Sequence, residues 1–277
     1  MRLSETQIEQ YENDGYVIVP DFLAPEEVAL LAAEADILGT PQRGLPDGNV
    51  YENESGMIRK SYSFDKDSEA YFLTSRMPRM LVPTRQLLGE KIYLYMTHMN
   101  HKVAKKGEIW LWHQDYAHWE LDGVERGGAH DMVTIMIMID ESTPENGPLQ
   151  VLKGSHKLPV EAFEIDLEET SVPTAKVDEA RMAEIVRSHE AVTCLGGAGT
   201  AVIFAPMAIH GSARNNSTRT RRNAYFVYNR ADNRPTIAEP RRFHVSPHLM
   251  NADPVELDMG VDDGVLVDLA RRRASAA

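Results

Sequence analysis

The chain has 277 residues, 43% of them hydrophobic and 26% charged, the balance of an ordinary soluble globular protein. That length builds a sizeable core, and the lone cysteine, Cys194, excludes a disulfide scaffold and a cysteine-rich zinc site. A formal charge of −13 argues against a nucleic-acid binder, and no apolar run reaches the ~18 residues of a membrane span. The start, Met1 to Gln7, turns polar at once and reads as no signal peptide, so a cytoplasmic protein is expected.

Ser4-x-x-Gln7 reads as a capping box opening a short helix that ends at Asp14-Gly15. Tyr16 to Pro20 reads as a strand. A second helix follows Pro25, with Glu26 and Glu27 in the first turn where the helix dipole favours negative charge, and stops near Gly39. Residues 40–57, punctuated by Pro41, Gly44, Pro46, Gly48 and Gly56, read as an exposed loop. Pro78 to Leu88 predicts another helix. From residue 91 the character changes to strands. Ile92 to Val103 alternates in part, and Met132 to Ile139 is a continuous apolar run suited to burial on both faces. Pro148 to Leu152, Thr200 to Phe204 and Ala224 to Tyr228 are further short strands. The acidic interruption Glu161 to Glu190, with a helix predicted from Asp178 to His189, reads as a lid or as solvated decoration. Helices followed by many short strands predict a mainly β protein, a sandwich or barrel with flanking helices. One domain is expected over 1–277, with a helical part at 1–90 packed on a core of about 91–235.

The chemistry concentrates at three places. In Trp110-Leu111-Trp112-His113-Gln114-Asp115-Tyr116, read as a strand, His113 and Asp115 share a face and offer an imidazole beside a carboxylate. They are either two adjacent metal ligands or a simple hydrogen-bonded pair. In the second place, an apolar strand runs from Thr200 into a turn and then His210-Gly211-Ser212. His210 there is a third ligand or a satisfied core histidine. Taken together, two imidazoles and one carboxylate on one side of a metal leave its other positions open, the facial arrangement of non-haem Fe(II) oxygenases. Arg221, eleven residues after His210, would return beside the metal on the next strand. A guanidinium suits bidentate binding of a carboxylate; a basic turn on an acidic chain is the other reading, and Arg219 and Arg222 fit that description. The tryptophans Trp110, Trp112 and Trp119 cluster around the same motif. Core packing accounts for the first two, whereas Trp119, with Tyr116, would line a pocket mouth whose ring faces suit a cationic or zwitterionic molecule. His156 reads as structural and Cys194 as a small buried residue.

The order His113-Gln114-Asp115, Asn146-Gly147-Pro148-Leu149, Gly154-Ser155-His156, His210-Gly211-Ser212 and Arg221 resembles the phytanoyl-CoA dioxygenase family. Trp112 to Trp119, Thr143 to Leu149 and Asn223 to Asn229 are most similar to its ectoine hydroxylase branch, and the likeness spans roughly residues 5 to 235. It implies a double-stranded β-helix, or jelly roll, with Fe(II) inside one end, 2-oxoglutarate as co-substrate and O2 as oxidant. It implies His113, Asp115 and His210 as ligands and Arg221 as the co-substrate anchor, with Asn100, Thr134 and Ser212 as polar residues near 2-oxoglutarate. Halogenating relatives carry a small residue in place of the carboxylate, so Asp115 implies hydroxylation. The ectoine branch carries a Gln and an Arg where this chain has Met96 and His98, a departure in the substrate pocket that speaks against ectoine itself. The expected partner is a small polar or zwitterionic, amino-acid-like molecule, not nucleic acid or membrane, and monomer and homodimer are both compatible with the chain. An acidic chain is a poor lure for a polyanion such as a CoA ester, unless Arg59, Lys60 and Arg126 supply local positive charge. Two other readings stay open: a cupin-type zinc or manganese hydrolase or isomerase, in which Arg221 has no task, and a non-catalytic jelly-roll binding module.

Overall fold

The structure, a computed structural model, describes residues 1–39, 49–53, 55–121, 123–124, 130–161, 163–166, 169–172, 174–235 and 261–276. Most of the loop expected at 40–57, and Arg126, lie outside them.

In chain order the elements are α1 (Glu5–Asp14), β1 (Tyr16–Val19), α2 (Pro25–Leu38), β2 (Asn49–Tyr51), β3 (Ile58–Tyr62), α3 (Phe64–Asp67), α4 (Glu69–Thr74) and α5 (Pro78–Leu88). They continue with β4 (Ile92–Lys102), β5 (Trp110–His113), α6 (Asp115–Leu121), β6 (Met132–Met138), β7 (Gln150–Leu152), β8 (Phe163–Asp166), β9 (Thr174–Val177) and α7 (Glu179–Ser188). Last come β10 (Ala191–Thr193), β11 (Ala201–Phe204), β12 (His210–Ser212), β13 (Arg221–Arg230) and α8 (Val265–Ala276). The capping box at Ser4 and Gln7 forms, and Gly15 closes α1 in the left-handed conformation at φ 83°.

Two antiparallel sheets make the core. One runs β1-β11-β6-β13-β4-β3-β2, the other β10-β7-β12-β5-β9-β8. Their inward side chains meet, Met136, Met138 and Tyr225 of the first against Leu149 and Val151 of the second. The outer face of the seven-stranded sheet is covered by the helices: Val133, Ile135, Ile137 and Phe226 pack against Leu31, Tyr71 and Leu81. This is the mainly β, helix-flanked jelly roll that the sequence predicts. Met132 to Met138 is buried along its whole length because β6 lies between β11 and β13 and is covered on both faces.

The partial alternation of Ile92 to Val103 has a structural cause. The β13–β4 register shifts so that Val227 faces Met96 and Tyr228 faces Leu94, leaving Tyr95 as an extra residue. Such a bulge re-aims the side chains beyond it. Tyr93 and Tyr95 point inward before it, and from Met96 onward the even positions do, which brings His98, Asn100 and Lys102 inside. Ile92 and Leu94 before the bulge, and Met99 after it, face the helices.

Three expectations need correction. The segment from Trp110 to Tyr116 is not one strand: β5 stops at His113, and Asp115 begins α6. The interruption at 161–190 is not detached decoration, because β8 and β9 extend the smaller sheet and β9 pairs with β5 at His113 and Lys176. Asn49–Tyr51, expected as loop, is β2 paired with β3.

Candidate metal centre

His113 ends β5 and His210 begins β12, and the two are direct partners across that antiparallel pair, with ring centroids 4.3 Å apart. Each Nδ1–H donates to a nearby backbone carbonyl, His113 to Leu111 at 2.6 Å and His210 to Ala208 at 2.9 Å. This fixes both rings and turns both Nε2 lone pairs toward one point, the usual second bond of a ligating imidazole. Asp115, placed by the strand-to-helix break, meets them there, its Oδ1 lying 3.6 Å from His113 Nε2 and 3.8 Å from His210 Nε2. One ligand atom from each residue lies within 4.8 Å of the others, and all three residues are at least half-buried. Burial alone would raise the Asp115 carboxyl; the imidazoles of His210 and His113 overcome that and hold it well below the usual carboxylate range. Burial pushes His210 down to about 4, so its ring is neutral and able to ligate at neutral pH.

Beside these residues opens a cleft of about 390 Å³ lined by Asn100, Leu149, Ser212, Arg221 and Tyr225. Arg221 stands at the start of β13, 2% exposed. One guanidinium nitrogen donates to the Gly147 carbonyl, the Asn223 side chain accepts from another at 2.7 Å, and Nε has no partner. Burial lowers its pKa, although Tyr225 and the more distant Asp140 act to raise it, and among the described residues no carboxylate forms an ion pair with it. The Asn146-Gly147-Pro148 turn thus acquires a purpose. Gly147 sits at φ 67°, and a Cβ there would collide with the Ala213 carbonyl and the Lys102 side chain, so only glycine brings its carbonyl to Arg221. Asn100 Oδ1 and Thr134 Oγ1 are likewise buried without a hydrogen bond. Thr134 shares the inward face of β6 with Met132 and Met136, but it does not line the cleft.

A second lobe of about 380 Å³ shares Lys60, His98, Trp110, His113 and Asp115 with the first and adds Met96, Trp119, Val172 and Thr174. Trp119 is 1% exposed and meets Tyr95 edge-on at 5.6 Å. His98 stacks on Tyr225 at 4.5 Å, and burial holds it well below its ordinary pKa. Tyr116 is placed elsewhere: it is buried in the packing around Tyr95 and Trp119, and its hydroxyl donates to the Val124 carbonyl at 2.9 Å. Adjacent residues of a helix do not share a face, which is why Asp115 and Tyr116 diverge.

Sequence reasoning missed two polar residues here. Lys102, on the re-phased end of β4, is 1% exposed and donates to Ser212 Oγ at 2.6 Å and to the Ala213 carbonyl. His118 meets His113 edge-on at 6.1 Å and accepts a hydrogen bond from the Ala175 N–H. The partial alternation of β4 was the available signal for Lys102; its bulge hid which residues face inward. Arg59 is buried against Glu108 and lies 4.3 Å over the Trp110 ring, so its charge is already met.

Comparison with known proteins matches residues 11–223 to the family described as phytanoyl-CoA dioxygenase. The chain is 31% identical over 244 residues to an ectoine dioxygenase of Sphingopyxis alaskensis, covering 84% of this chain and 78% of the relative. It is 32% identical over 266 residues to an L-proline trans-4-hydroxylase of Streptomyces griseoviridis, covering 90% and 95%. The crystal structure of EctD from S. alaskensis with 2-oxoglutarate and 5-hydroxyectoine superposes with a TM-score of 0.78 at 29% identity, over 92% of this chain and 86% of that one.

Proposed function

The chain belongs to the phytanoyl-CoA dioxygenase family, and from that premise we propose that it is an Fe(II)- and 2-oxoglutarate-dependent hydroxylase of a small, amino-acid-like molecule. The observation that carries this reading is the pairing of an open-sided His-Asp-His set with a buried guanidinium that has no ion-pair partner among the described residues, in one cleft. A structural metal site would need no such neighbour. A cofactor that chelates through one end and presents a carboxylate at the other needs both.

In this reading His113, Asp115 and His210 hold the iron. The donor set fits: two imidazoles oriented by backbone carbonyls and one ionised carboxylate. The bound metal, with O2, couples oxidation of 2-oxoglutarate to succinate and CO2 to hydroxylation of a substrate C–H bond. Arg221 receives the far carboxylate of 2-oxoglutarate. Lys102 holds Ser212 in place beside it, and Asn100 offers an unused acceptor on the same wall. Thr134 supports that wall from the neighbouring strand. Met96, His98 and Trp119 form the substrate lobe, a largely apolar surface that orients the reacting carbon and excludes water. The names of the ectoine and proline relatives support an amino-acid-like substrate. The reading takes 1–277 as one domain. Among the described residues no helix is long and apolar enough to cross a membrane.

The test is anaerobic visible absorption. Adding Fe(II) and then 2-oxoglutarate to metal-free protein should produce a charge-transfer band, and admitting O2 should release succinate. Folded, iron-loaded protein that shows no band at saturating 2-oxoglutarate would refute the assignment. Tight retention of zinc with indifference to 2-oxoglutarate would favour a cupin-type hydrolase instead.

A further inference from the structure

Among the described residues the cleft holds one cation, Lys60, that meets aromatic rings but has no hydrogen bond or ion pair. Lys60 lies on β3, where the register sets it opposite Asn100 and sets Tyr62 opposite His98. It lines both lobes. Its Nζ sits 4.7 Å from the Tyr62 ring centroid and 5.4 Å from that of Trp110. Among the described residues it makes neither a hydrogen bond nor an ion pair. The neighbouring cations are all engaged or assigned. Arg59 is paired with Glu108, Lys102 with Ser212 and Ala213, and Arg221 rests on Gly147 at the co-substrate end.

The rest of the substrate lobe says what Lys60 faces. Asp115 is the one carboxylate lining it among the described residues, and that group belongs to the metal set. The other walls are Met96, Val172 and aromatic rings, with Thr174 the one hydroxyl besides Tyr62. With Asp115 committed to the metal, Lys60 is the one cation of this lobe among the described residues, and it draws an anion there. On the hydroxylase reading 2-oxoglutarate would not need Lys60, since the metal set and Arg221 would take its two ends. An ammonium on a flexible stem, held between two rings and short of acceptors, gains by meeting a carboxylate there.

We propose, resting on the hydroxylase reading above, that Lys60 anchors the carboxylate of the primary substrate, so that the enzyme takes small free acids and discriminates against their amides. Lys60 is then a specificity-determining residue, and the body of the acid lies along Trp110, Met96 and Trp119 toward the metal.

The experiment uses L-proline and L-pipecolic acid against their primary amides as probes, with the wild type, Lys60→Met and Lys60→Arg. Metal-free binding is read by tryptophan fluorescence, since Trp110 and Trp119 line the lobe, and binding to the anaerobic Fe(II)·2-oxoglutarate form by perturbation of the visible band. We expect the acids to bind about tenfold or more tighter than the amides, the factor a charge-assisted hydrogen bond supplies. The ratio should fall to about one in Lys60→Met and return in part in Lys60→Arg, with 2-oxoglutarate affinity within about twofold of wild type throughout. Equal binding of acid and amide by the wild type, binding of neither, or a preference that survives in Lys60→Met would overturn the proposal. So would a loss of about tenfold or more in 2-oxoglutarate affinity in Lys60→Met, which would assign Lys60 to the co-substrate. Failure of the hydroxylase reading itself shows separately, as a wild type without the visible band.

Discussion

Arg221 and Arg222 are neighbours on β13, and they end on opposite faces of the same sheet in opposite circumstances. Arg222 points out toward the helices. Its Nε and one terminal nitrogen grip both oxygens of Asp140 at 2.8 and 2.9 Å, and the other terminal nitrogen reaches Asp36 and the Ala32 carbonyl on α2. Those carboxylates, led by Asp140, hold its pKa above the ordinary arginine range. Arg221 points into the barrel, where burial lowers its pKa and its Nε has no partner. The contrast extends along the strands. The outer face is a continuous apolar layer whose charges are neutralised within the protein; the inner face near His210 carries Asn100, Thr134 and His98, each with a polar atom left without a partner. Folding alone does not favour unpaired buried polar atoms. Their gathering on one face marks a chamber built for molecules that supply the missing partners. Inward substitutions should therefore cost function, and outward ones stability.

The largest effect belongs to the metal set. His210→Ala should abolish stoichiometric iron binding and reduce 2-oxoglutarate-dependent succinate release by ~10³-fold or more, since a metal's contribution of several kcal/mol is lost. Circular dichroism should remain that of the wild type. A variant that keeps its iron and turnover would dissolve the functional side of the comparison. Next comes Arg221→Met. It should raise the 2-oxoglutarate concentration for half-maximal turnover by roughly 10²-fold, the cost of leaving a buried carboxylate without its cation. The same change should leave the ligand-free protein as stable as before, or more so, because it removes an uncompensated buried charge. Thermal unfolding of the ligand-free variant checks this, and a clear loss of stability would mean that Arg221 serves the fold.

His101 carries the outer face into pH dependence. It is the register partner of Arg222, 7% exposed, and its Nε2 lies 3.3 Å from Ser61 Oγ. Burial, helped by Arg222, pushes its pKa down to about 4. The unfolded chain therefore takes up a proton between its ordinary value of about 6.5 and that lower value, while the folded chain does not. Its stabilising share is complete above about pH 6.5 and is lost as the pH falls toward 4. Lowering the pH from about 7.5 to about 4.5 should remove about 2 kcal/mol through this one residue. Urea unfolding of wild type and His101→Gln at both pH values isolates that share: the variant should lose less stability than the wild type over the same interval.

Legibility in the sequence followed the same division. Fold class, the helices Pro25–Leu38 and Pro78–Leu88 and the buried strand Met132–Met138 rest on capping, composition and periodicity, and local signals sufficed. His113, Asp115 and His210 were named from residue order, and the structure brings them together, although by a different route. Asp115 arrives through a strand end and a helix start, not through strand alternation. What stayed hidden depended on partners distant in sequence. The strand Ile58–Tyr62 is one such element: Arg59 is accommodated inside it because Glu108, 49 residues on, neutralises that arginine. Lys102 and the inward phase of β4 depend on the bulge at Tyr95, which exists only in the pairing with β13. Arg222 looked like a basic turn residue because Asp140 and Asp36 lie far away along the chain.

The smallest predicted effect tests Arg222 directly. Its guanidinium is 14% exposed and Asp140 is 21% exposed, so the pair is partly screened by solvent. Asp140 also accepts the Arg222 backbone N–H at 2.8 Å, a bond that survives substitution of the side chain. Arg222→Met would therefore leave Asp140 half satisfied and able to recover part of its hydration. It would also release α2 from its polar tie to the sheet while the apolar contacts of Leu31 and Leu38 keep the helix docked. About 1–2 kcal/mol of stability should be lost, less than for a fully buried pair, and the midpoint of thermal unfolding should fall by a few degrees. The 2-oxoglutarate requirement and the substrate rate should be unchanged, since a whole strand thickness separates the group from the chamber. A shift of more than about twofold in the 2-oxoglutarate requirement would show that the two faces of β13 are coupled, and that its two arginines act as one device and not as two.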